Sequence, residues 1–225
     1  MNISVIVPTY NEERVIAATL AHGCAVLSPH EVFVVDGQST DGTVAVAGRY
    51  GRVLTVRLTR GASLNYAASL ATGEVLLFLH ADTHLPVGAA VAIERALHDP
   101  YVVGGAFRLR FDDADWAARM VALSVNLRSA LLNTFFGDQA LFVRREVFVR
   151  CGGYRNWSVM EDLEILRRLR RYGRLALLDS AVITSARRHR NSGWLRTIAT
   201  VWAMSLLVRL GVPGQALIRL YKAQR

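Results

Sequence analysis

Four times before residue 98 a short apolar run is followed by a stretch with helical character. The runs are Ile3–Val7, Val32–Val35, Val53–Leu58 and Val75–Leu79. Runs of this length with little polar alternation are those of strands buried on both faces. The first helix opens at Asn11-Glu12-Glu13, a cap residue with acids in the first turn, and extends to about Leu27. The others reach about Tyr50, span Leu64–Ala71 with Gly73 as the stop, and span Val87–Leu97. Strands alternating with helices over short connections leave few options: parallel neighbours joined by crossover helices. The spacing predicts an α/β fold, a mostly parallel doubly wound sheet with helices on both faces.

The second half is less regular. Val102–Phe111 has strand character, Trp116–Leu132 helix, Ala140–Val143 strand and Asp162–Arg171 helix. Leu175–Leu178 and Ala181–Thr184 resemble two further strands, and Trp194–Leu210 and Gln215–Tyr221 two helices split by Gly211 and Pro213. No linker separates two folded units. The division expected is a catalytic domain over residues 1–190 and a helical tail over 191–225, the tail contacting the acceptor or a membrane surface.

Charge narrows the partners. The 27 Lys+Arg exceed the 18 Asp+Glu by 9, nearly all through arginine. This excess suits phosphate-bearing ligands or an anionic membrane surface. Nucleic acid is not expected, because basic residues are not interleaved with aromatics and no nucleic-acid module is present. Cys24 and Cys151 lie in apolar contexts without metal or disulfide spacing, as in a reducing cytosol. The Ile3–Val7 run is too short for a signal-peptide core, so a cytoplasmic protein is expected.

In open parallel sheets, ligands bind outside the C-terminal ends of the strands. Polar clusters fall there. They are Thr9-Tyr10-Asn11-Glu12, the stretch from Asp36 to Gly42, and His80-Ala81-Asp82; Met160-Glu161-Asp162 precedes a helix. Each alone is explained by capping, since Asn11, Asp41 and Asp162 all suit an N-cap. Together at one sheet edge they point to a ligand. If the strand continued past Leu79, His80, Asp82 and His84 would share one side, and a carboxylate with an imidazole two residues away suits a divalent cation. After the first strand the chain has PTYNEE, neither a G-x-G-x-x-G turn nor a P-loop. A nucleotide held here needs side chains and a metal on its diphosphate, as a nucleotide diphosphate sugar provides.

VPTYNE at Val7–Glu12, VVDGQSTDGT at Val34–Thr43, FLHADT at Phe78–Thr83 and GDQALFVRREVF, GGY and MEDLEI between Gly137 and Ile165 resemble the family 2 glycosyltransferases, which have the GT-A fold. The resemblance runs from about Ile3 to about His189. FLHADT in so short a chain is similar to a small bacterial subfamily linked to arsenosugar biosynthesis. The resemblance implies that Pro8, Tyr10 and Glu12 line the nucleotide-base pocket, with Asp36 and Asp41 beside base and ribose. It implies that Asp82, the second acid of the family's D-x-D, binds Mn²⁺ or Mg²⁺ on the donor diphosphate. Asp162, paired with Glu161, is implied as the base for an acceptor hydroxyl. His80 replaces the first acid of D-x-D, with Ala81 between; His80 is expected to ligate the metal or bond the ribose, and His84 to compensate as a second ligand. His189 is a further candidate ligand. Arg60 and Arg187 or Arg188 are nucleotide-side candidates, and the arginines from Arg167 to Arg174 a solvated helix face.

The function expected is a metal-dependent inverting transfer of a hexose from a UDP- or GDP-linked donor to an acceptor hydroxyl, possible acceptors including lipid-linked ones. Two alternatives stand beside it. A binding module without activity is disfavoured by the presence of Asp82 and Glu161-Asp162. A nucleotidyltransferase would need a glycine-rich basic loop after the first strand. The 12 charge-free residues of Thr197–Val208 are short of the ~20 that span a bilayer. Arg196, Thr200, Ser205 and Arg209 share a stripe there, and the remaining apolar face suits either a core-covering or an interfacial helix, peripheral on the inner membrane face.

Overall fold

The structure is a computed structural model that describes residues 1–113, 115–156, 161–186, 194–210 and 212. Its strands are β1 (Ile3–Thr9), β2 (Glu31–Asp36), β3 (Arg52–Thr55), β4 (Val75–Phe78), β5 (Thr83–His84), β6 (Val102–Phe111), β7 (Leu141–Arg144) and β8 (Arg174–Thr184). Its helices are α1 (Glu13–Leu27), α2 (Thr43–Ala47), α3 (Arg60–Leu70), α4 (Ala89–His98), α5 (Trp116–Leu132), α6 (Arg145–Arg150), α7 (Glu161–Leu169) and α8 (Trp194–Arg209).

The strands form one sheet in the order β3-β2-β1-β4-β7-β6-β8-β5. The first four are parallel, as the alternation predicts. The sheet is mixed beyond them: β7 is antiparallel to β4 and β6, whereas β6 and β8 run parallel. Period-two alternation sends Val5, Val7 and Leu77 to one face, under α1 and α4, and Ile6, Leu76 and Phe78 to the other, against α3 and α7. The helices cover both faces of the sheet, so each face has its own core.

Four local expectations change. Pro8 does not stop β1, which continues to Thr9. The carbonyl of Ile6 accepts from Leu79 on the β4 side, so Pro8, two residues on, turns its missing N–H to that same side, where β4 has ended. Asn11 is not the cap of α1. It adopts a left-handed φ of 54°, and its Oδ1 accepts from Thr40 N at 2.8 Å. The two strands expected around Asp179 are one strand, β8, with a bulge opposite Phe107 and Arg108. The fourth strand does not continue past Leu79. It ends in a turn at Ala81-Asp82, closed by Thr83 N donating to the carbonyl of His80.

α8 packs on α5. Trp202 Nε1 donates to Ser124 Oγ at 2.8 Å, Met204 and Ser205 are buried, and Ile198 packs on the core. The expected polar stripe is therefore not an outer face at Ser205. That hydroxyl turns inward to accept from the fully buried Arg128 at 3.1 Å. The helix expected at Gln215–Tyr221 lies outside the described residues. Among the described residues, no helix is long and apolar enough to cross a membrane.

Candidate active site

Two groups of polar residues meet the same edge of the sheet, at the C-terminal ends of β1, β2 and β4. The first sits over β1 and β2. Asp36 ends β2 fully buried, its carboxylate accepting from Ser39 N at 2.9 Å, Ser39 Oγ at 2.5 Å and Thr9 Oγ1 at 3.3 Å. Those bonds hold the loop after β2 against the loop after β1. Asp41 continues the clamp by accepting from Thr43 N at 3.0 Å and Glu13 N at 3.2 Å. Its pKa is lowered, first by the hydrogen bond from the Thr43 hydroxyl. Glu12 is buried and Tyr10 is 61% exposed beside it. A cleft of about 370 Å³ is lined by Asn11, Glu12, Glu13, Arg14 and Asp41. Pro8, Tyr10, Glu12, Asp36 and Asp41 are thus brought together, with Asp36 and Asp41 spending oxygens on the two loops.

The second group gathers around α7. β7 begins beside the end of β4, Leu141 opposite Phe78, so the 3₁₀ turn Gly137–Gln139 before β7 reaches the same edge. Gly137 N donates to Asp162 Oδ2 at 3.0 Å. Glu161 is buried and pairs with Arg60 Nε at 2.5 Å. The same guanidinium places Nη2 at 2.6 Å from His80 Nε2. An arginine N–H only donates, so His80 accepts with Nε2 and carries its proton on Nδ1. A Cβ on Gly137 would stand 2.5 Å from His80 Nε2 and 3.0 Å from Asp162 Oδ2, which puts the imidazole and the carboxylate against one backbone position.

The apolar face expected for this helix is present: Ile165, Leu166 and Leu169 are all buried. It sets the first turn, with Glu161 and Asp162, against the end of the sheet. Desolvation, then repulsion by Glu161, pushes the Asp162 carboxyl up to about 7, against the opposing pull of Arg60 and the Gly137 N–H. Burial works against the charge of Arg60, and Glu161 and Asp162 more than offset it, so its pKa is raised.

The structure adds residues that sequence reasoning did not single out. Tyr154 is buried against Phe78 and Phe148, and its hydroxyl has no hydrogen-bond partner among the described residues. Burial, then the charges of Asp162 and Glu161, raises its pKa well above the phenol range. Asn65 holds its backbone on both sides, donating to Tyr154 O at 2.7 Å and accepting from Tyr154 N at 2.8 Å. Gln139 knits the turn, with Nε2 donating to Phe107 O at 3.0 Å and Oε1 accepting from Phe136 N at 3.2 Å. The sequence signal for these was the GGY and GDQ stretches, whose roles only packing reveals.

Other expectations separate. His84 stacks on His22 with ring centroids 5.1 Å apart, and burial lowers its pKa. It faces α1, whereas His80 faces Arg60, so the two imidazoles do not share one side. Asp82 is partly exposed in the turn between them, and Ala81 is buried there with its carbonyl accepting from Thr19 Oγ1. Arg168 is no solvated arginine: it binds Glu164 and the carbonyls of Cys151 and Gly153. Arg170 likewise caps the end of α5 through the Asn133 carbonyl. Arg187, Arg188 and His189 lie outside the described residues.

No group of three or more His, Cys, Asp and Glu among the described residues is arranged to cage a metal. The donor set instead fits a cation that takes most of its oxygens from a ligand's phosphates and one carboxylate from the protein. Asp82 is a partly exposed carboxylate just past the end of β4, while the His80 lone pair is turned to Arg60.

Comparison with known proteins agrees with this geometry. Residues 4–156 match the family described as Glycosyl transferase family 2. The chain is 26% identical over 196 residues to a beta-monoglucosyldiacylglycerol synthase of Nostoc sp., covering 74% of this chain and 41% of that protein. It is 31% identical over 173 residues to a PGL/p-HBAD biosynthesis glycosyltransferase of Mycobacterium bovis, covering 71% and 66%. The chain therefore spans about two fifths of the first of these relatives. Among solved structures, a mannosyltransferase of Pyrobaculum calidifontis in complex with GDP-Man and Mn²⁺ shares the fold, with TM-score 0.64 and 22% identity over 99% of this chain and 79% of that one.

Proposed function

The chain belongs to glycosyl transferase family 2, and on that premise we propose that it is an inverting hexosyltransferase with Asp162 as its base. The family match and the named activities of the relatives support a glycosyltransferase of the nucleotide-sugar-using kind, and the solved neighbours support its GT-A fold. That assignment sets aside the nucleotidyltransferase alternative.

The observation that carries the finer reading is Asp162, a carboxyl pushed up to about 7 at the ligand-binding edge of the sheet. A base poised near neutral pH is half deprotonated there and binds an acceptor proton strongly enough to take it. In the proposed step, the acceptor hydroxyl gives its proton to Asp162 while its oxygen attacks the anomeric carbon. The bond from that carbon to the diphosphate oxygen breaks, and the nucleotide diphosphate leaves. One displacement inverts the configuration. The Gly137 N–H fixes one oxygen of Asp162, and the other is proposed to take the acceptor proton. Arg60 keeps Glu161 paired, so the neighbouring charge is held in place. The nucleotide is proposed to lie over the loops clamped by Asp36 and Asp41, against Pro8, Tyr10 and Glu12. Asp82 would hold a divalent cation, which when bound offsets charge on the departing diphosphate.

The acceptor is proposed to be a hydroxyl on a lipid or lipid-linked molecule, reached from the cytoplasmic face of a membrane. The named activity of the diacylglycerol-glucosylating relative supports it. The test is a melting screen of UDP- and GDP-sugars with Mn²⁺, run on wild type and Asp162→Asn. A ligand at 100 times its Kd adds about 2.7 kcal/mol. Wild type and variant should both respond to one donor, while turnover in the variant falls about 10²–10⁴-fold. Loss of the donor response in Asp162→Asn would move that residue into the donor site, and unchanged turnover would remove it from the mechanism.

A further inference from the structure

α5 is apolar on the side that faces away from the protein. Trp116, Met120, Leu123, Leu127 and Leu131 are 50–76% exposed and recur at helical spacing, a stripe about 22 Å long. α8 extends it. The contacts of Trp202 with Ser124 and of Ser205 with Arg128 show that α8 lies beside α5 and runs the same way. In right-handed helices so arranged, the residue before the contact on α5 and the residue after it on α8 turn to one side. That side holds Leu123 and Leu127 of α5 together with Leu206 of α8, with Leu210 just beyond, and all four are more than half exposed. Neither helix contains Asp or Glu. A surface of this extent on two adjacent helices is larger than scattered exposure on a soluble protein explains.

Charge selects what covers it. Apart from the buried Arg128, the charged residues of α5 and α8 are Arg119, Arg196 and Arg209, all positive. In sequence, the carboxylates that flank α5 are Asp112, Asp113 and Asp115 before it and Asp138 after it. A second copy of the chain docking here would bring two helix pairs of like positive charge together. An anionic bilayer accepts both features, the apolar stripe at the acyl boundary and the arginines at the phosphates. Trp116 at one end is a residue type that settles at such interfaces.

We propose that the joined outer faces of α5 and α8 dock on an anionic lipid surface. α5 ends five residues before Gly137, whose N–H holds Asp162. A surface seated on α5 therefore presents lipid-borne hydroxyls near the acceptor side of the site. In this respect the inference rests on the glycosyltransferase reading above.

The experiment is co-sedimentation with vesicles of pure phosphatidylcholine or with one third phosphatidylglycerol, at low and high salt. Wild type should sediment with the anionic vesicles alone and be released by salt. Leu123→Glu with Leu127→Glu should lower binding at least tenfold with an unchanged melting temperature, since both side chains are solvent-exposed. Arg119→Glu, an exposed position on the same helix that removes no packing, should weaken binding several-fold. Failure of wild type to bind anionic vesicles overturns the proposal, as does undiminished binding by the double variant. So does a wild-type dimer in sedimentation velocity that the double variant makes monomeric, which would assign the face to a second copy. The melting response to UDP- and GDP-sugars is recorded on the same samples. Lost vesicle binding with an intact donor response sinks the docking surface alone, whereas vesicle binding without any donor response sinks the enzymatic reading and leaves the surface standing.

Discussion

Burial raises the Asp162 carboxyl to about 7, and two charged neighbours that act on it in opposite directions can be removed separately. Glu161 raises the Asp162 pKa and Arg60 lowers it. The acid limb of the kcat/KM profile should therefore move to lower pH in Glu161→Gln and to higher pH in Arg60→Gln. Movement of the acid limb in the same direction in both variants would show that the base titrating in the profile is another group. The same carboxyl affects stability. Asp162 binds its proton more tightly in the folded protein than in the unfolded chain, whose aspartates titrate near ~3.9. Wild-type stability should thus be greatest below about pH 4 with respect to this group and fall as pH rises towards 7. Asp162→Asn should abolish that decline and raise stability at neutral pH by on the order of 2 kcal/mol, allowing for the partial exposure of the carboxyl. Urea midpoints of both proteins at pH 5 and pH 7.5 check the sign; a variant less stable at pH 7.5 would refute it. The placement of Glu161 and Asp162 at a helix start was legible in sequence because the ED pair opens a stretch with an obvious apolar face. The Gly137 N–H and the buried Tyr154 were not, because a backbone donor and an apolar-packed phenol have no signature until the chain is folded.

Among the elements, β6 approaches β8 closely at a glycine. A Cβ on Gly105 would run into the Ala176 carbonyl of β8, which is backbone and cannot swing away, and would stand 2.7 Å from the Phe142 ring. Gly105→Ala should therefore separate the two strands and cost at least the ~1–3 kcal/mol of ordinary overpacking. A melting temperature within a degree of wild type would show that the pair tolerates the extra carbon. Element boundaries were legible where periodicity was unbroken: Val102–Phe111 and Trp116–Leu132 were expected with the same ends that β6 and α5 have. They were misjudged where tertiary contacts override local pattern. Pro8 stays in β1 because its missing N–H meets no ladder, and the bulge in β8 keeps two apolar stretches in one strand. His84 left the expected polar row because the chain turns at Ala81-Asp82 before reaching it.

For the molecule as a whole, the buried Arg128 joins α5, α8 and the turn beside the site. It donates to Ser205 Oγ at 3.1 Å and to Gln139 Oε1 at 3.4 Å and lies 4.4 Å from the Phe136 ring centroid. Desolvation lowers its pKa to about 10. Ser205→Ala removes an acceptor from a buried cation and should cost about 1–3 kcal/mol, seen as a lower urea midpoint with an unchanged slope. No change would mean that α8 is held by apolar packing alone. Sequence by itself determined the alternation of buried strands and helices, the ligand-binding edge and the acids placed there, because these follow from hydrophobic period and from residue types within a few positions of one another. Only the tertiary structure decided that Arg60 pairs with Glu161 and His80, that Ser205 faces inward to Arg128, and that the outer side of α5 is left apolar and uncovered. Those are contacts between residues 20 to 101 positions apart in the chain, and local pattern carries no term for which distant group a side chain will meet.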